Sequence, residues 1–220
     1  MSIRSRRLKH IPLFSELTPH ELDLLVSTAR KQQYPKGSIV FFEGDPGDFL
    51  MVVLSGKVKV ALLGENGQEV ILSILGPDSF FGEMALLETE PRSATVFTLE
   101  KSVFLRLERD RFFGLLGQHP SIALKILKHL SSRLRQANEQ IRSLAMFDIY
   151  GRIARCLLNL GQTQGKRLGN RIVIPDRPSF QDLAHMVGCS RETLSRALKV
   201  LQQNGYLTIN KKEIVMNRTW

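Results

Sequence analysis

The sequence has few of the residues that most metal sites and disulfide frameworks need. It contains two cysteines and five histidines in 220 residues. Cys156 and Cys189 are too few for a four-thiolate cluster, and the histidines are scattered without the spacing of metal ligands. We therefore predict no metal site, and we interpret both cysteines as small buried residues.

The sequence also lacks a long apolar run. No stretch approaches the roughly 20 apolar residues that a membrane-spanning helix needs. The basic start MSIRSRRLKH is not followed by the apolar segment of a secretory signal. The hydrophobic content of 43% and the charged content of 24% are typical of soluble globular proteins. We expect a cytoplasmic protein of one large or two modest domains, with no membrane partner.

What the chain does have is an excess of positive charge, and the excess is uneven. The net charge is +10. From Asp148 to the end there are 12 Lys and Arg against 5 Asp and Glu, whereas residues 11–147 hold 15 against 16. A basic C-terminal third predicts a polyanionic partner, with a region of nearly neutral balance before it.

The most informative motif is FGEMALLETEPRSAT at 81–95. Gly82 lets the backbone come close to a ligand, and the carboxylate of Glu83 can accept a hydrogen bond from a sugar hydroxyl. Arg92 and Ser93 follow with a guanidinium and a hydroxyl, which are both good donors to phosphate. The motif therefore favours a cyclic phosphodiester and its ribose. The alternative is a plain salt bridge between Glu83 and Arg92.

The whole string closely resembles the phosphate-binding cassette of cyclic-nucleotide-binding domains, in which FGE and RSA flank a short helix. The resemblance implies that Glu83 binds the ribose 2′-hydroxyl and that Arg92 and Ser93 bind the cyclic phosphate. It makes a nucleotide pocket the preferred interpretation over the salt bridge. We assign five further residues to this pocket: Leu72, Phe81, Gly82, Met84 and Ala94.

Local patterns predict how the N-terminal half is organised. Thr18 to Glu21 has the pattern of a capping box, which predicts a short helix running to about Arg30. Short β-rich runs punctuated by glycines follow from Gln33 to Leu107. Strands at that spacing predict a compact all-β sandwich or barrel that contains the motif.

A long helix is predicted to start near His119. Its apolar or small residues recur at alternating spacings of four and three, which is a heptad seam. The seam consists of Ala123, Leu127, Leu130, Leu134, Ala137, Ile141 and Leu144. A helix packed on its own domain would show a wider apolar stripe, so we interpret this helix as the interface of a homodimer.

The C-terminal third predicts a helix-turn-helix. An amphipathic helix at 148–160 is predicted to end at Gly161, and the polar, glycine-rich segment 161–171 is predicted to be a surface loop. Ser179 and Ser190 then begin two helices separated by a glycine, so the second helix would enter the major groove of DNA. The following YLTINKKEIVM predicts a hairpin, or wing.

The exposed face of the second helix suits contacts with DNA. Arg191 and Arg196 can pair with guanine, and Glu192 can accept from cytosine N4. Phosphates fix the register without reading sequence. We assign phosphate contacts to Ser179, Ser190 and Lys199. An ordinary solvated helix face is the alternative, and the clustered positive charge argues against it.

The segment GCSRETLSRALKVLQQNG strongly resembles the recognition segment of the CRP/FNR transcription regulators. With the cassette, the similarity to the cyclic AMP receptor branch extends over nearly the full chain. It implies an α+β architecture with a jelly-roll-like β-roll at 1–118, a dimerisation helix at 119–147 and a winged helix-turn-helix at 148–220. It also implies base contacts in a TGTGA-like half-site, with Gln181 close to the same DNA. A contact with RNA polymerase would use the 161–171 loop.

The chain departs from that branch on the long helix. The best-known cyclic AMP receptors have a Thr-Ser pair there, which contacts the adenine, whereas this chain has Ala137 and Asn138. Alanine cannot replace a hydroxyl, but asparagine can both donate to and accept from a purine edge. We predict cyclic AMP as the allosteric effector, with cyclic GMP and cyclic di-GMP as alternatives.

Two other functions fit parts of the sequence. A regulator that binds DNA without an effector would explain Ala137, but the intact Glu83, Arg92 and Ser93 argue against a vestigial pocket. An enzyme acting on cyclic nucleotides would need a metal cluster or a positioned histidine base beside the pocket, and the sequence indicates neither. We therefore predict a DNA-binding regulator that is not an enzyme.

Overall fold

The chain forms two compact units, Met1–Leu134 and Arg135–Trp220, and the division falls within one long helix. The computed structural model describes residues 8–65 and 68–217. Within those residues no helix is both long and apolar enough to cross a membrane. The finer division at residues 118 and 147 stays an interpretation, because the long helix contributes to both units.

Two four-stranded antiparallel sheets form the centre of the first unit. The strands are β1 (Arg30–Tyr34), β2 (Ile39–Phe41), β3 (Phe49–Ser55), β4 (Val58–Leu63), β5 (Glu69–Leu75), β6 (Phe80–Phe81), β7 (Thr95–Thr98) and β8 (Ser102–Glu108). Their order is β1-β8-β3-β6 in one sheet and β2-β7-β4-β5 in the other. Met51 and Phe104 of the first sheet and Val58 and Val96 of the second share one core cluster. The predicted β-roll is confirmed.

The other face of the first sheet is covered by helices. These are α1 (Pro19–Thr28), α3 (Arg109–Gln118) and the start of α4 (Pro120–Met146), while α2 (Glu83–Glu88) lies between β6 and β7. α1 begins at the predicted capping box, in which the hydroxyl of Thr18 accepts from the N–H of Glu21 at 3.4 Å and the Glu21 carboxylate accepts from the N–H of Thr18 at 2.6 Å. It ends two residues before Arg30, because β1 starts there.

The long helix α4 leaves most of its predicted seam in water. Ile122 and Ile126, at its start, are buried in the core of the first unit. Leu127, Leu134 and Ile141 are 58%, 63% and 65% exposed. An apolar stripe of this length on one helix is the kind of surface that a partner covers.

The second unit combines three helices with one four-stranded sheet. The helices are α5 (Ile149–Thr163), α6 (Phe180–Val187) and α7 (Arg191–Gln203), and the strands are β9 (Lys166–Leu168), β10 (Arg171–Ile174), β11 (Leu207–Ile209) and β12 (Ile214–Asn217). The strand order is β11-β12-β10-β9. Asp148 begins α5, because its carboxylate accepts a hydrogen bond from the N–H of Gly151 at 2.8 Å.

The predictions for Gly161 and the 161–171 loop are wrong. Gly161 does not end α5, which continues to Thr163. The glycine is needed for close packing, since a Cβ atom there would lie 2.9 Å from Cγ2 of Ile172 on β10. The following segment is not a simple loop either, because β9 pairs with β10 across a turn in which Gly169 has a φ of 57°. Strand β9 is exposed throughout, so it carries no apolar alternation that would reveal it.

Candidate functional site

The motif at 81–95 folds around a left-handed glycine. Gly82 has a φ of 83° and stands directly before α2. A Cβ atom at this position would lie 2.5 Å from Nη1 of Arg92 and 3.3 Å from the carbonyl oxygen of Phe49. The glycine therefore serves two needs, the backbone turn into α2 and the close approach of Arg92.

Glu83, the first residue of α2, is fully buried. Its Oε1 accepts a hydrogen bond at 2.5 Å from Nη1 of Arg133, and Nη2 of Arg133 donates to the carbonyl of Phe80 at 3.3 Å. Its Oε2 is buried, and within the described part of the chain it has no hydrogen-bond partner. A buried acceptor left in this way costs about 1–3 kcal/mol, so Glu83 can still accept one hydrogen bond from a ligand.

Arg92 is buried as well, although it carries no carboxylate partner among the described ion pairs. Its Nη1 donates to the carbonyl of Gly82 at 2.9 Å, and its Nη2 donates to the carbonyl of Phe49 at 3.0 Å. The pKa of Arg92 is lowered to about 10, mainly because the group is buried; Asp48 opposes this shift and nearby Arg106 adds to it. The guanidinium is still charged at neutral pH. The alternative interpretation, a salt bridge between Glu83 and Arg92, is therefore wrong, because Glu83 pairs with Arg133 instead.

These groups line one small cavity. Its volume is about 30 Å³. The lining consists of Phe41, Val60, Phe81, Gly82, Glu83, Met84, Ala85, Arg92, Ser93, Ala94, Val96 and Arg133. The hydroxyl of Ser93 lies 3.6 Å from the sulfur of Met84. A cavity of this size holds one or two water molecules, and Glu83 and Arg92 both line it.

Seven of the predicted pocket residues line this cavity, and Leu72 does not. Leu72 lies on β5 and is 37% exposed, because its neighbour Ile71 is the residue that points into the core. Ala137 and Asn138 are exposed on α4 and belong to the second unit. Their contact with a base stays a prediction.

Arg133 is the charged lining residue that was not predicted from the sequence; the apolar lining residues Phe41, Val60, Ala85 and Val96 were not predicted either. Arg133 lies 50 positions from Glu83, so no local motif connects the two. The only signal is its place on the predicted long helix, one turn before Ala137.

The second unit contains the predicted helix-turn-helix. The hydroxyl of Ser179 accepts from the N–H of Asp182 at 3.0 Å and begins α6, and Ser190 accepts from the N–H of Thr193 at 3.2 Å and begins α7. Gly188 ends α6 in the left-handed conformation with a φ of 74°. The helices pack through a shared core, which includes Leu183, Ala184, Val187, Leu194, Ala197, Leu198 and Leu201.

The outer face of α7 is polar and exposed. It carries Arg191, Glu192, Ser195, Arg196 and Lys199. The pKa of Glu192 is lowered by a hydrogen bond from its own backbone N–H and by the hydroxyl of Ser190, so the carboxylate is ionised at neutral pH. Gln181 is also exposed, and its Nε2 lies 2.5 Å from Nε2 of His185.

Two details change how the phosphate contacts would be made. The hydroxyls of Ser179 and Ser190 are engaged in capping, since Ser179 donates to Asp182 at 2.6 Å and Ser190 lies 3.0 Å from the hydroxyl of Thr193. The free N–H groups at the start of each helix are then the better donors to a phosphate. Arg177 was not predicted as a site residue. Its Nε donates a hydrogen bond to the carbonyl oxygen of Asn210 at 3.0 Å, which connects the segment before α6 to the wing.

Two known protein families match this chain, one in the N-terminal region that contains the cavity and one in the C-terminal region that contains the helix-turn-helix. Residues 31–119 match the cyclic nucleotide-binding domain family, and residues 151–219 match the Crp-like helix-turn-helix domain family. The chain is 37% identical over 206 residues to the cyclic AMP receptor protein of Thermus thermophilus. The aligned region covers 92% of this chain and 90% of that protein. The chain is 30% identical over 205 residues to a CRP-like cAMP-activated global transcriptional regulator of Mycobacterium tuberculosis, covering 93% and 92%.

Solved structures resemble the fold as well. The c-di-GMP-responsive global regulator CLP of Xanthomonas campestris superposes with a TM-score of 0.78 at 29% identity, covering 91% of this chain and 99% of that one. The catabolite activator protein of Thermus thermophilus is 34% identical with a TM-score of 0.56, covering 94% of both chains.

Proposed function

Because the chain belongs to the CRP/FNR family of DNA-binding transcription regulators, which are not enzymes, we propose that it regulates transcription in response to cyclic AMP. One observation carries this proposal. Buried Glu83 and buried Arg92 line a single cavity, and the carboxylate keeps an oxygen without a hydrogen-bond partner in the described structure. That pair of groups suits a ligand with both a hydroxyl donor and an anion.

In the proposed complex Glu83 accepts from the ribose 2′-hydroxyl through Oε2, and Arg92 with Ser93 binds the cyclic phosphate. Two of the five N–H groups of Arg92 are bonded to carbonyls, so the others can donate to the phosphate. Phe81, Gly82, Met84 and Ala94 complete the wall. Asn138 reads the base.

Cyclic di-GMP is the second candidate effector, because the superposed regulator from Xanthomonas campestris is named as responsive to it. The names of the curated relatives favour cyclic AMP. Both ligands carry a phosphodiester and ribose, so Glu83 and Arg92 do not separate them. The contact between Asn138 and the base, and the space available to the ligand, would distinguish the two effectors.

A homodimer is proposed through α4. The exposed stripe of Leu127, Leu134 and Ile141 supports a two-stranded helical seam. Pairing along this seam would give each pocket an Asn138 from one or both copies. The proposed target is double-stranded DNA, and a cytoplasmic location follows from it.

On DNA, α7 would enter the major groove of a TGTGA-like half-site. Arg191, Glu192 and Arg196 would contact bases, and Lys199 would contact a phosphate. Two copies would bind half-sites about 34 Å apart, which is one turn of the duplex. The segment 161–171, which comprises the end of α5, strand β9 and the turn after it, is proposed as the contact with RNA polymerase.

The proposed allosteric step begins with the Glu83–Arg133 ion pair. Arg133 lies on α4 and lines the same cavity, so a nucleotide that binds Oε2 of Glu83 would lie beside a side chain of the long helix and change the surroundings of this ion pair. A ligand shifts such an equilibrium only by the difference in its affinity for the two states. Cyclic AMP must therefore bind the DNA-competent state more tightly.

Titration of DNA binding tests the proposal. Affinity for a palindromic TGTGA site is measured at fixed salt with cyclic AMP, cyclic GMP or cyclic di-GMP, because phosphate contacts make affinity strongly salt-dependent. We expect cyclic AMP to raise the affinity and Arg92→Ala to remove that response. Equal affinity with and without each nucleotide would instead favour a regulator without an effector.

A further inference from the structure

Two aromatic rings hold Arg92 at the edge of the cavity. Phe41 is the last residue of β2 and Phe49 is the first residue of β3, so the two β-sheets contribute one ring each. The guanidinium carbon of Arg92 lies 4.2 Å from the centroid of each ring, and the ring planes are inclined at 69°. We name these two rings the aromatic corner.

We propose that the aromatic corner is a positioning device for Arg92 and sets the affinity of the pocket for the phosphate group of its ligand. This inference rests on the proposed function, since it needs an anionic ligand. Both distances lie within the range of about 6 Å in which a cation is attracted to the face of a ring. Phe41 lines the cavity and Phe49 does not, so Phe49 is the ring whose removal leaves the lining unchanged.

Phe49 acts on Arg92 through two groups. Its ring lies against the guanidinium, and its backbone carbonyl accepts from Nη2 at 3.0 Å. The carbonyl of Gly82 accepts from Nη1 at 2.9 Å. Arg92 is thus held on several sides before any ligand arrives, and its Nε is buried without a hydrogen-bond partner in the described residues.

The ring of Phe49 is itself fixed from outside the cavity. The guanidinium carbon of Arg106 lies 3.8 Å from the centroid of the same ring. Arg106 in turn donates from Nε to Glu108 at 2.9 Å. A second cation, anchored by a carboxylate, therefore limits how far the ring can move.

This arrangement affects the affinity for the ligand, because a free arginine side chain populates many rotamers and a bound one is restricted to few. A side chain that is already held in place loses little freedom when the ligand binds, and the binding free energy is larger by that amount. Burial also disfavours the charge of Arg92, as its pKa of about 10 indicates. The ring faces offset part of that cost without using N–H groups that the phosphate needs.

Phe97 offers a matched control. It is half-buried on β7 and also carries a cation over its ring, since Nζ of Lys59 lies 4.9 Å from the centroid. It does not line the cavity. Phe97→Leu therefore removes a ring and a cation–π contact of the same kind without changing the lining of the cavity or a ring against Arg92.

The test measures binding of cyclic AMP by calorimetry to the full chain and to the variants Phe49→Leu and Phe97→Leu. We expect Phe49→Leu to weaken binding about tenfold, from the usual strength of one partly desolvated cation–π contact. Phe97→Leu should change the affinity less than twofold. In ¹⁵N–¹H spectra the Arg92 Nε–H signal, shifted by the rings, should persist in Phe97→Leu and move in Phe49→Leu. If Phe49→Leu does not fold, Phe49→Met removes the same ring while keeping an apolar side chain of similar volume, with the same expected result.

The possible outcomes separate the two ideas. Wild-type affinity in Phe49→Leu, an equal loss in Phe97→Leu, or an unmoved Arg92 signal would overturn the aromatic corner. If the unaltered protein binds neither cyclic AMP nor cyclic di-GMP, the proposed function fails instead. In that case the Arg92 signal still reports whether the rings hold the side chain.

Discussion

The ion pair between Glu83 and Arg133 gives the sharpest stability prediction. In Arg133→Ala the fully buried Glu83 loses the partner that donates to its Oε1. Removing one partner of a buried pair typically costs about 3–5 kcal/mol, whereas an exposed pair contributes about 0–1 kcal/mol. The Arg133 side chain is 26% exposed and Glu83 is not exposed at all. We therefore expect a loss of about 2 kcal/mol.

The expected loss is measured by calorimetric or urea-induced unfolding of the full chain at one protein concentration, because dimerisation would also affect the transition. The melting temperature of the first unit should fall by roughly 5–8 °C. Arg142→Ala is the control. Arg142 lies on the same helix, is 58% exposed, and approaches Glu139 only to 4.0 Å, so its removal should cost less than about 0.5 kcal/mol.

A second substitution checks the physical cause. Glu83→Gln in the Arg133→Ala background removes the buried unpaired charge, so part of the lost stability should return. If Arg133→Ala is as stable as Arg142→Ala, or if Glu83→Gln lowers stability further in that background, the ion pair is not what stabilises this site.

Three other predictions concern different parts of the chain. Ile141→Asp puts charge into the exposed seam of α4 and should give a monomer by light scattering; a persisting dimer would exclude this seam. Arg196→Ala should cost about 1–3 kcal/mol of binding free energy for DNA and should do so through one base position. Lys199→Ala should weaken binding to all sequences alike and lower the slope of log affinity against log salt concentration by about one. The reverse pattern in binding assays would contradict these roles. The pKa of Glu21 is lowered by hydrogen bonds with the backbone and hydroxyl of Thr18, so its stabilising effect is present above pH 4.5 and lost as pH falls through the lowered pKa. Melting curves of Glu21→Gln should therefore depend less on pH below 4.5, and an unchanged dependence would refute the assignment.

Much of the fold could be predicted because its signals are local. The capping box at Thr18 and the glycine after α6 each specify a helix end through residues that are adjacent in sequence. Gly161 misled the prediction for the opposite reason. A glycine that ends a helix and a glycine that admits a neighbouring side chain look alike until Ile172 is seen against it.

The same distinction applies to the candidate site. Gly82, Glu83 and Arg92 lie within one short motif, so their convergence on one cavity could be predicted. Arg133 and the aromatic corner could not, because strand pairing and helix packing bring them to the motif from distant parts of the chain. The sequence predicted which groups would bind an anion, but not what holds those groups in place.

The cavity that Arg92 lines also has a consequence for the choice of buffer. A charged, buried guanidinium attracts small anions from solution, and the cavity that it lines has room for species of about the size of water. A nucleotide that enters must then displace any such ion. Apparent affinity would depend on which anion the solution contains as well as on its ionic strength, and chloride and acetate at equal concentration would give different titration curves.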